Sequence, residues 1–134
     1  MVGVTVPQLE FPLSGFRFRL ERKAGGASVI RRTDHLLVGT FALEVESETL
    51  TVRSLCIEPA YRSYGAGSEA AQLLVTAAGA AGFARIRAWA HPQLGLSAYF
   101  WGRMGLRPLH GEGPEGGIWY ERRALSDIET ERYS

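Results

Sequence analysis

Residues 55–68 combine the residue types that bind a phosphate group. An apolar run ending at Ile57 leads into a segment with Arg62, Gly65 and Gly67, and a helix is predicted from Ser68. Glycines let backbone N–H groups converge on an anion, and a helix start adds the positive end of its dipole. Arg62 adds a permanent positive charge suited to phosphate. The stretch Arg62–Ser68 therefore predicts a pyrophosphate cradle.

Two other interpretations of this stretch use the same glycines. The first is a glycine-rich turn in which Ser68 merely caps a helix. The second is dinucleotide binding, because Gly65–Ala70 fits the pattern G-x-G-x-x-A. That pattern requires a glycine directly after the strand and an acid near the end of the next strand. Here seven residues separate Ile57 from Gly65, and the next strand ends at His91-Pro92, which disfavours dinucleotide binding.

Seven strands and two helices are predicted to position this segment. Alternation of apolar and polar residues, bounded by turn residues, is typical of half-buried strands. A helical spacing of alanine and leucine followed by Gly82 predicts the first helix, and Gly105 ends the second. The strands are 16–22, 27–32, 35–46, 50–57, 85–90, 106–110 and 118–123, and the helices are 68–81 and 97–104. Residues 1–15 are expected to be an irregular arm.

This order predicts one α/β (α+β) domain with a mixed, mostly antiparallel twisted sheet of about six to seven strands and two helices. The domain is expected to span residues 16–125, between the arm 1–15 and a polar tail 126–134. Charged residues alternate with apolar ones in the first strand and in 85–90, whereas strands buried on both faces are almost entirely apolar. Part of one sheet face is therefore expected to be wet or covered by a partner chain.

Two motifs in this order resemble those of the GNAT acetyltransferase superfamily. The first is an apolar strand, a proline, often an aromatic residue, and Arg/Gln-x-x-Gly-x-Gly/Ala before a helix. Its fixed positions are matched by Arg62, Gly65 and Gly67, and its favoured ones by Pro59 and Tyr61. The second is a strand, a His-Pro pair and a helix that closes with aromatic residues, a basic residue and glycine. It is matched by 91–92 and 98–106.

The resemblance implies acetyl-coenzyme A as acetyl donor, and it implies roles for residues of both motifs. In the family, the strand before the loop separates from its neighbour, and its free backbone groups pair with the pantetheine arm of the coenzyme. The implied coenzyme contacts are Leu55, Cys56, Ile57, Arg62, Ser63, Tyr64, Gly65, Ala66, Gly67, Ser68, Phe100, Trp101 and Arg103. An amine is then expected to attack the thioester directly.

The sequence departs from the family pattern at three places. The family has two helices between its first two strands, but Lys23–Gly26 leaves no room for them, so this is a short member without those helices. The position that usually carries a tyrosine general acid is Trp101, and indole cannot supply that proton. The position of a glutamate base found in some members matches Thr51.

Several side chains remain as candidates for acid–base chemistry. His91 ends a strand beside the expected thioester gap and is the candidate base, with a structural role as the alternative. His110 and His35 are weaker candidates, and Cys56 is expected to be a small apolar strand residue rather than a nucleophile. Acidic residues near the strand edges are either solvated or form a rim that attracts a cationic amine; they are Glu44, Glu46, Glu48, Glu112 and Glu115.

Composition limits the partners and the location. The formal charge of +1 disfavours nucleic acid as a partner, although 14 of the 15 basic residues are arginine. The only cysteine, Cys56, excludes an intrachain disulfide and a cysteine-based metal site, and no metal is expected. The sequence has no apolar run of ~18 residues and no signal-peptide pattern at residues 1–10. We therefore expect a cytoplasmic protein without a membrane partner.

The sequence predicts an N-acetyltransferase that transfers acetyl from acetyl-coenzyme A to a primary amine. The alternative is a non-catalytic module that binds the coenzyme or another protein, which the missing tyrosine, glutamate and helices would favour. Because a bare sheet face exposes apolar surface between its arginines, we expect a homodimer.

Overall fold

A computed structural model describes residues 7–90, 100–109 and 118–123 of the chain. In these residues eight strands form one sheet in the order β1-β2-β3-β4-β5-β6-β8-β7. Every neighbouring pair is antiparallel except β5 and β6, which are parallel. The strands are β1 Leu13–Ser14, β2 Phe18–Lys23, β3 Gly26–Arg31, β4 Leu36–Glu46, β5 Thr49–Ile57, β6 Arg85–Ala90, β7 Arg107–Pro108 and β8 Ile118–Arg123.

The first strands form hairpins because each is followed by a short turn. Ala24 and Gly25 join β2 to β3, and Gly25 has a φ of 76°, a left-handed conformation that glycine adopts without steric cost. This turn confirms that no helices lie between β2 and β3. Phe18 and Leu20 are buried in the core, so the alternating side chains of Arg19 and Glu21 lie on the other face of the sheet.

One helix, α1 (Ala66–Ala81), covers the apolar face of this sheet. Small side chains at helical spacing let it lie close to the strands, and these residues are buried: Ala66, Ala70, Ala71, Leu74, Val75 and Ala78. The helix ends at Gly82, whose φ is 93°, so a left-handed glycine terminates it. Opposite the helix, Leu20, Val29, Leu50 and Val52 are fully buried.

We call the sheet face that is turned away from α1 the open face. In the described residues it carries polar side chains from β2, β5 and β6, among them Glu21, Arg87 and Cys56. The side chains of Glu21 and Arg87 are 45% and 41% exposed. The expectation of a partly wet sheet face is therefore confirmed for the described residues.

A β-bulge lies at the point where the sheet divides. Ala42 pairs with Ser54 and Leu43 with Val52, which leaves Arg53 as an extra residue in β5. On its other side β5 pairs with β6 in four residue pairs, from Thr49 with Arg85 to Val52 with Ala88. Beyond that point β5 continues to Ile57 and β6 to Ala90, but the two strands no longer pair with each other and therefore separate.

The observed order agrees with the predicted fold class and corrects some of its details. The eighth strand, β1, lies in the arm that was expected to be irregular, because Leu13 pairs with Leu20 and Leu9 is buried in the core. The predicted first helix begins two residues earlier, at Ala66. In the predicted second helix, residues 100–103 are helical and 97–99 lie outside the described residues. The domain boundaries remain a prediction, and the tail 126–134 also lies outside the described residues.

Candidate functional site

The segment between β5 and α1 is more regular than the predicted loop. Pro59–Tyr64 form a 3₁₀ helix, and Gly65 follows with a φ of 75°. This left-handed residue turns the chain directly into α1, so the helix begins at Ala66 and not at Ser68. Gly67 and Ser68 therefore lie in the first turn of the helix. The interpretation of Ser68 as a helix cap is wrong, because Gly65 occupies the cap position.

The start of α1 keeps the features that anion binding requires. No side chain caps it, and the first N–H groups of an α-helix have no partner within the helix. The dipole of this 16-residue helix adds positive potential at the same end. The backbone of Gly65–Ser68 thus forms an uncapped helix start, whereas the sequence predicted a loop through Gly67 and a helix from Ser68.

Gly67 lies where α1, β5 and the second helical segment meet. A Cβ on Gly67 would lie 3.7 Å from Ile57 Cγ1, 3.9 Å from Leu55 Cδ2 and 3.8 Å from Phe100 Cε2. A Cβ at this position would thus make ordinary van der Waals contacts with the end of β5 and with Phe100. The same contacts show that residues of both sequence motifs come together in space.

Arg62 is anchored at the end of β5. Its Nε donates a hydrogen bond of 2.9 Å to the carbonyl oxygen of Ile57, and the residue is exposed. Within the described residues its Nη groups make no hydrogen bond or ion pair. The backbone of Ser63 and Tyr64 follows in the 3₁₀ helix. A guanidinium held in this way can offer two donors to an anion.

The last residues of β5 border the gap between β5 and β6. Leu55 is half-buried and Ile57 is buried on the side of α1, whereas Cys56 is exposed on the open face. Cys56 lies in a strand as predicted, and its side chain is exposed. Around it, Gly39, Thr40, Glu58 and Arg62 line a shallow depression of about 150 Å³. Among the residues that the structure describes, the backbone of Leu55–Ile57 has no strand partner on the side of β6.

The second motif contributes both core and surface. Trp101 is only 4% exposed and belongs to the core cluster, and Phe100 packs against that cluster. Their rings meet edge to face with centroids 5.0 Å apart. Arg103 is exposed. Trp101, which the resemblance implies is a coenzyme contact, is thus buried among the side chains of the core.

One pair of residues near Gly65 was not predicted from the sequence. The carboxylate of Glu69 accepts hydrogen bonds of 2.8 Å from the backbone N–H groups of Arg17 and Phe18. Its Oε1 lies 3.4 Å from Arg17 Nε. A Cβ on Gly65 would lie 2.7 Å from Arg17 Nη2. The residues of this cluster lie about fifty positions apart in the chain, so no local pattern could have revealed it.

An ion pair lies beside the 3₁₀ helix. Arg31 bonds the carboxylate of Asp34 at 3.0 and 2.6 Å, and its guanidinium lies 5.2 Å from the ring centroid of Tyr61. The hydrogen bonds from Arg31 lower the pKa of Asp34 to about 2, and the backbone N–H of Leu36 contributes to the same shift. The pair links the turn between β3 and β4 to the 3₁₀ helix.

The remaining acid–base candidates are only partly described. His91, His110, Glu112 and Glu115 lie outside the described residues. Thr51, at the position of the family glutamate, pairs with Glu44 and Arg87 in the sheet, and its hydroxyl cannot act as a carboxylate base. His35 is exposed in the turn before β4, where its Nδ1 lies 2.9 Å from Arg19 Nη1.

The proposed acidic rim is divided between two places. Glu46 and Glu48 are exposed at the turn between β4 and β5, which is the end of β5 opposite the 3₁₀ helix. Glu44 lies nearer the middle of the sheet, where its Oε1 is 3.5 Å from Arg53 Nε. β5 separates that turn from the 3₁₀ helix by its full length, and the attraction of a cationic amine by these glutamates stays a prediction.

Comparisons with known proteins agree with this geometry. The family model described as "Acetyltransferase (GNAT) family" matches residues 4–106 of the chain. No curated protein matches the sequence.

Solved structures with the same fold share little sequence with the chain. A putative ribosomal-protein-serine acetyltransferase from Vibrio cholerae has a TM-score of 0.74 at 15% identity, covering 89% of this chain and 99% of that one. A GNAT-family acetyltransferase from Bacillus anthracis has a TM-score of 0.63 at 23% identity, covering 74% and 66%. A Bacillus subtilis acetyltransferase in complex with CoA has a TM-score of 0.62 at 12% identity, covering 76% and 79%.

The fold is that of solved acetyltransferases. The chain belongs to the GNAT acetyltransferase family. It is therefore an acetyltransferase enzyme, and its acetyl donor is acetyl-coenzyme A.

The described residues fit this donor. The uncapped start of α1 can accept a pyrophosphate, and the strand edge beyond the last β5–β6 pair can bond an extended amide chain. Among the described residues no three His, Cys, Asp or Glu side chains converge as metal ligands. No helix of these residues is long and apolar enough to cross a bilayer.

Proposed function

We propose that the protein transfers the acetyl group of acetyl-coenzyme A directly to a primary amine. The observation that carries the proposal is the separation of β5 from β6 immediately before the uncapped start of α1. Pairing ends at Val52 and Ala88, while β5 continues to Ile57 and leads through the 3₁₀ helix to Gly65. This arrangement supports a thioester held in the gap, where an amine can reach it.

The proposed roles of the coenzyme-binding residues follow from their positions. The backbone of Leu55, Cys56 and Ile57 bonds the pantetheine arm as a neighbouring strand would. The segment Arg62–Ser68 binds the pyrophosphate through backbone N–H groups and through the guanidinium of Arg62. Phe100 and Arg103 border the coenzyme from the second helical segment, and Trp101 supports Phe100 from the core.

His91 is the proposed base that takes the proton from the attacking amine. It follows Ala90, the last residue of β6, in the sequence. The new bond joins the amine nitrogen to the thioester carbon, the carbon–sulfur bond breaks, and the thiol leaves as thiolate. A dedicated acid is not required, because thiols have pKa values near about 8.5. Most of the rate enhancement then comes from holding the reactants together.

The acceptor is proposed to be an amine on a peptide or protein. The two-residue turn between β2 and β3 stands where the family places helices that wall the acceptor site. The open face at Thr40 and Cys56 consequently offers only a shallow depression in the described residues. The V. cholerae structure with the same fold is named for a ribosomal-protein substrate. An acceptor with its own surface does not need an enclosing pocket.

Release of coenzyme thiol from acetyl-coenzyme A tests the function. The purified chain is incubated with a panel of small amines and of peptides with free N-terminal amines. We expect thiol release that depends on the amine and is faster with peptides. Coenzyme binding without release for any amine would favour the non-catalytic module. Faster release with small amines would contradict only the proposed acceptor class.

A homodimer is proposed as the assembled form. The open face and the exposed side chains of Leu37 and Phe16, 51% and 87% accessible, are surfaces that a second copy can cover. Light scattering at micromolar concentration should give twice the monomer mass of 14.7 kDa. A particle of monomer mass would contradict the dimer.

A further inference from the structure

Arg17 lies next to the glycine that turns the chain into α1, although it comes from the beginning of the sheet. It directly precedes β2, and the end of β2 at which it lies is the end where β5 finishes. A Cβ on Gly65 would lie 2.7 Å from Arg17 Nη2 and 3.9 Å from Cζ. A side chain at Gly65 would therefore have to displace the terminal atoms of the flexible Arg17 side chain.

The backbone of Arg17 is held from both sides. Its N–H donates to Glu69 Oε2 at 2.8 Å, and its carbonyl oxygen accepts a hydrogen bond of 2.9 Å from the N–H of Arg32. The turn that contains it is closed by a bond of 2.8 Å from Gly15 N–H to Phe18 O. The position of Arg17 is thus fixed relative to the first turn of α1, which carries Glu69.

The side chain of Arg17 is only partly used by these contacts. Its Nε lies 3.4 Å from Glu69 Oε1, its Cζ lies 5.4 Å from the ring centroid of Phe18, and the side chain is 50% exposed. Within the described residues Nη1 and Nη2 make no hydrogen bond. A half-exposed guanidinium with both terminal nitrogens available, beside the start of a helix, is well suited to an anion with several oxygens.

The positive charge of Arg17 compensates the negative charge of Glu69. Its carboxylate is 18% exposed and lies in the first turn of α1, where it would repel a bound pyrophosphate. Arg17 and two backbone N–H groups surround the carboxylate and offset its charge. The positive charge of Arg17 can act in two ways, by neutralising Glu69 or by bonding a phosphate through its Nη groups.

We propose that Arg17, positioned by Glu69, binds a phosphate group of the coenzyme directly. The inference rests on the proposed coenzyme site at Arg62–Ser68 and extends it to a residue that lies in neither sequence motif. Arg17 and Arg62 then present two guanidinium groups to the phosphates, one from each end of the segment between β5 and α1.

Calorimetric titration of Arg17→Met with coenzyme A tests the proposal. Methionine keeps an apolar stem near Phe18 and removes the charge. We expect the Kd for coenzyme A to rise about tenfold, as for a lost charge-assisted hydrogen bond. Arg19→Met, at the second residue of β2 and on the open face, removes the same net charge and should change Kd less than about twofold.

Truncated ligands locate the contact. S-acetylpantetheine has no phosphate. With this ligand Arg17→Met should change KM less than about twofold, because neither the wild type nor the variant can form the hydrogen bond to phosphate. An equal loss of affinity for coenzyme A and for dephospho-coenzyme A assigns Arg17 to the pyrophosphate. A loss that disappears with dephospho-coenzyme A assigns it to the 3′-phosphate. An equal loss with S-acetylpantetheine would overturn the proposal.

The double variant Arg17→Met/Glu69→Gln separates direct binding from neutralisation. If Arg17 bonds phosphate, the double variant remains as weak as Arg17→Met. Recovery of wild-type affinity in the double variant would show that Arg17 only offsets Glu69, and the proposal would be wrong. Failure of the wild-type protein to bind coenzyme A would contradict the proposed function, whereas equal binding by wild type and Arg17→Met contradicts this inference alone.

Discussion

The two sides of the gap between β5 and β6 differ in how completely they are built. On the coenzyme side, β5, the 3₁₀ helix and α1 form a continuous unit in which Gly65, Gly67 and Arg62 each have a defined contact. On the proposed acceptor side, the turn Ala24–Gly25 stands in place of two helices, and the open face carries exposed polar side chains.

This difference reflects what each side must recognise. A pyrophosphate has fixed charge and geometry, so a family can bind it with one arrangement of backbone N–H groups. An acceptor amine is carried on molecules of different shapes, and the walls that select it can change without affecting the coenzyme site. The predictions below test whether the two sides are separable in this way.

Trp101 lies at the boundary between the coenzyme side and the core, and its removal should have the largest effect. Because Trp101 is 4% exposed, Trp101→Ala should lower the free energy of unfolding by about 3–5 kcal/mol through the cavity it creates. Chemical denaturation measures the loss.

Trp101→Phe is the matched variant, and it should cost much less stability and retain most activity. If Trp101→Ala unfolds like the wild type and instead loses coenzyme affinity, the side chain acts at the ligand. If Trp101→Phe abolishes turnover while coenzyme binding is unchanged, the indole N–H takes part in the chemistry.

His91 tests the acceptor side. His91→Gln should lower turnover about 10²-fold, because a positioned base is lost, while the Kd for acetyl-coenzyme A stays nearly unchanged. Steady-state rates and calorimetry on the same preparation separate these two effects. A rate that equals the wild-type rate across pH 6–9 would assign His91 a structural role.

Gly65 tests the coenzyme side. Gly65→Asp places a negative charge and a Cβ beside the proposed pyrophosphate site, and we expect the affinity for acetyl-coenzyme A to fall at least tenfold, or about 1.4 kcal/mol. Calorimetric titration measures this loss.

Gly25→Asp is the matched control for Gly65→Asp. Gly25 has a φ of 76° against 75° for Gly65, and a Cβ there would meet no atom within 4 Å. Both variants carry the same charge and the same left-handed backbone conformation. The free energy of unfolding of Gly25→Asp should therefore fall about as much as that of Gly65→Asp, but its affinity for the coenzyme should stay unchanged. Equal affinities for the two variants would contradict the placement of the site.

The smallest effect is expected at the ion pair that links the β3–β4 turn to the 3₁₀ helix. Because the pKa of Asp34 falls from 3.8 to about 2 on folding, the charged carboxylate stabilises the fold above pH 3.8. That contribution is lost as the pH falls toward 2. Asp34→Asn should therefore melt slightly below the wild type at pH 7, with a difference that shrinks between about pH 4 and 2.

Glu44→Gln is the control for Asp34→Asn. Glu44 and Arg53 lie 3.5 Å apart, and both side chains are more than half exposed, so removal of this pair should change the melting temperature less than Asp34→Asn does. A difference at Asp34 that persists unchanged to pH 2 would contradict the assigned cause.

Local patterns in the sequence were sufficient for much of the coenzyme side. The bounds of strands 85–90 and 118–123, the end of the first helix at Gly82 and the order of the seven predicted strands follow from alternation, helical spacing and turn residues, and the other strand ends were predicted to within two residues. The helix start at Ala66 was missed because it depends on the left-handed conformation of Gly65, which the sequence permits but does not require.

Features that depend on distant parts of the chain could not be predicted. The strand β1 exists because Leu13 pairs with Leu20, and Leu9 is buried by packing that no local periodicity records. Trp101 was placed on a ligand-facing side by its motif, whereas packing places it in the core. The cluster of Arg17 and Glu69 joins residues about fifty positions apart, and only the folded chain brings them to Gly65.

The short ladder between β5 and β6 has a consequence for local opening. In the described sheet, four residue pairs are the only strand pairing between β1–β5 and β6–β8. Separation of β5 from β6 breaks few hydrogen bonds, so the amide protons of these pairs can exchange with solvent without global unfolding. A ligand that bonds the free edge of β5 adds hydrogen bonds beyond these four pairs. Slower amide exchange on β5 and β6 would then report that the gap between them is occupied.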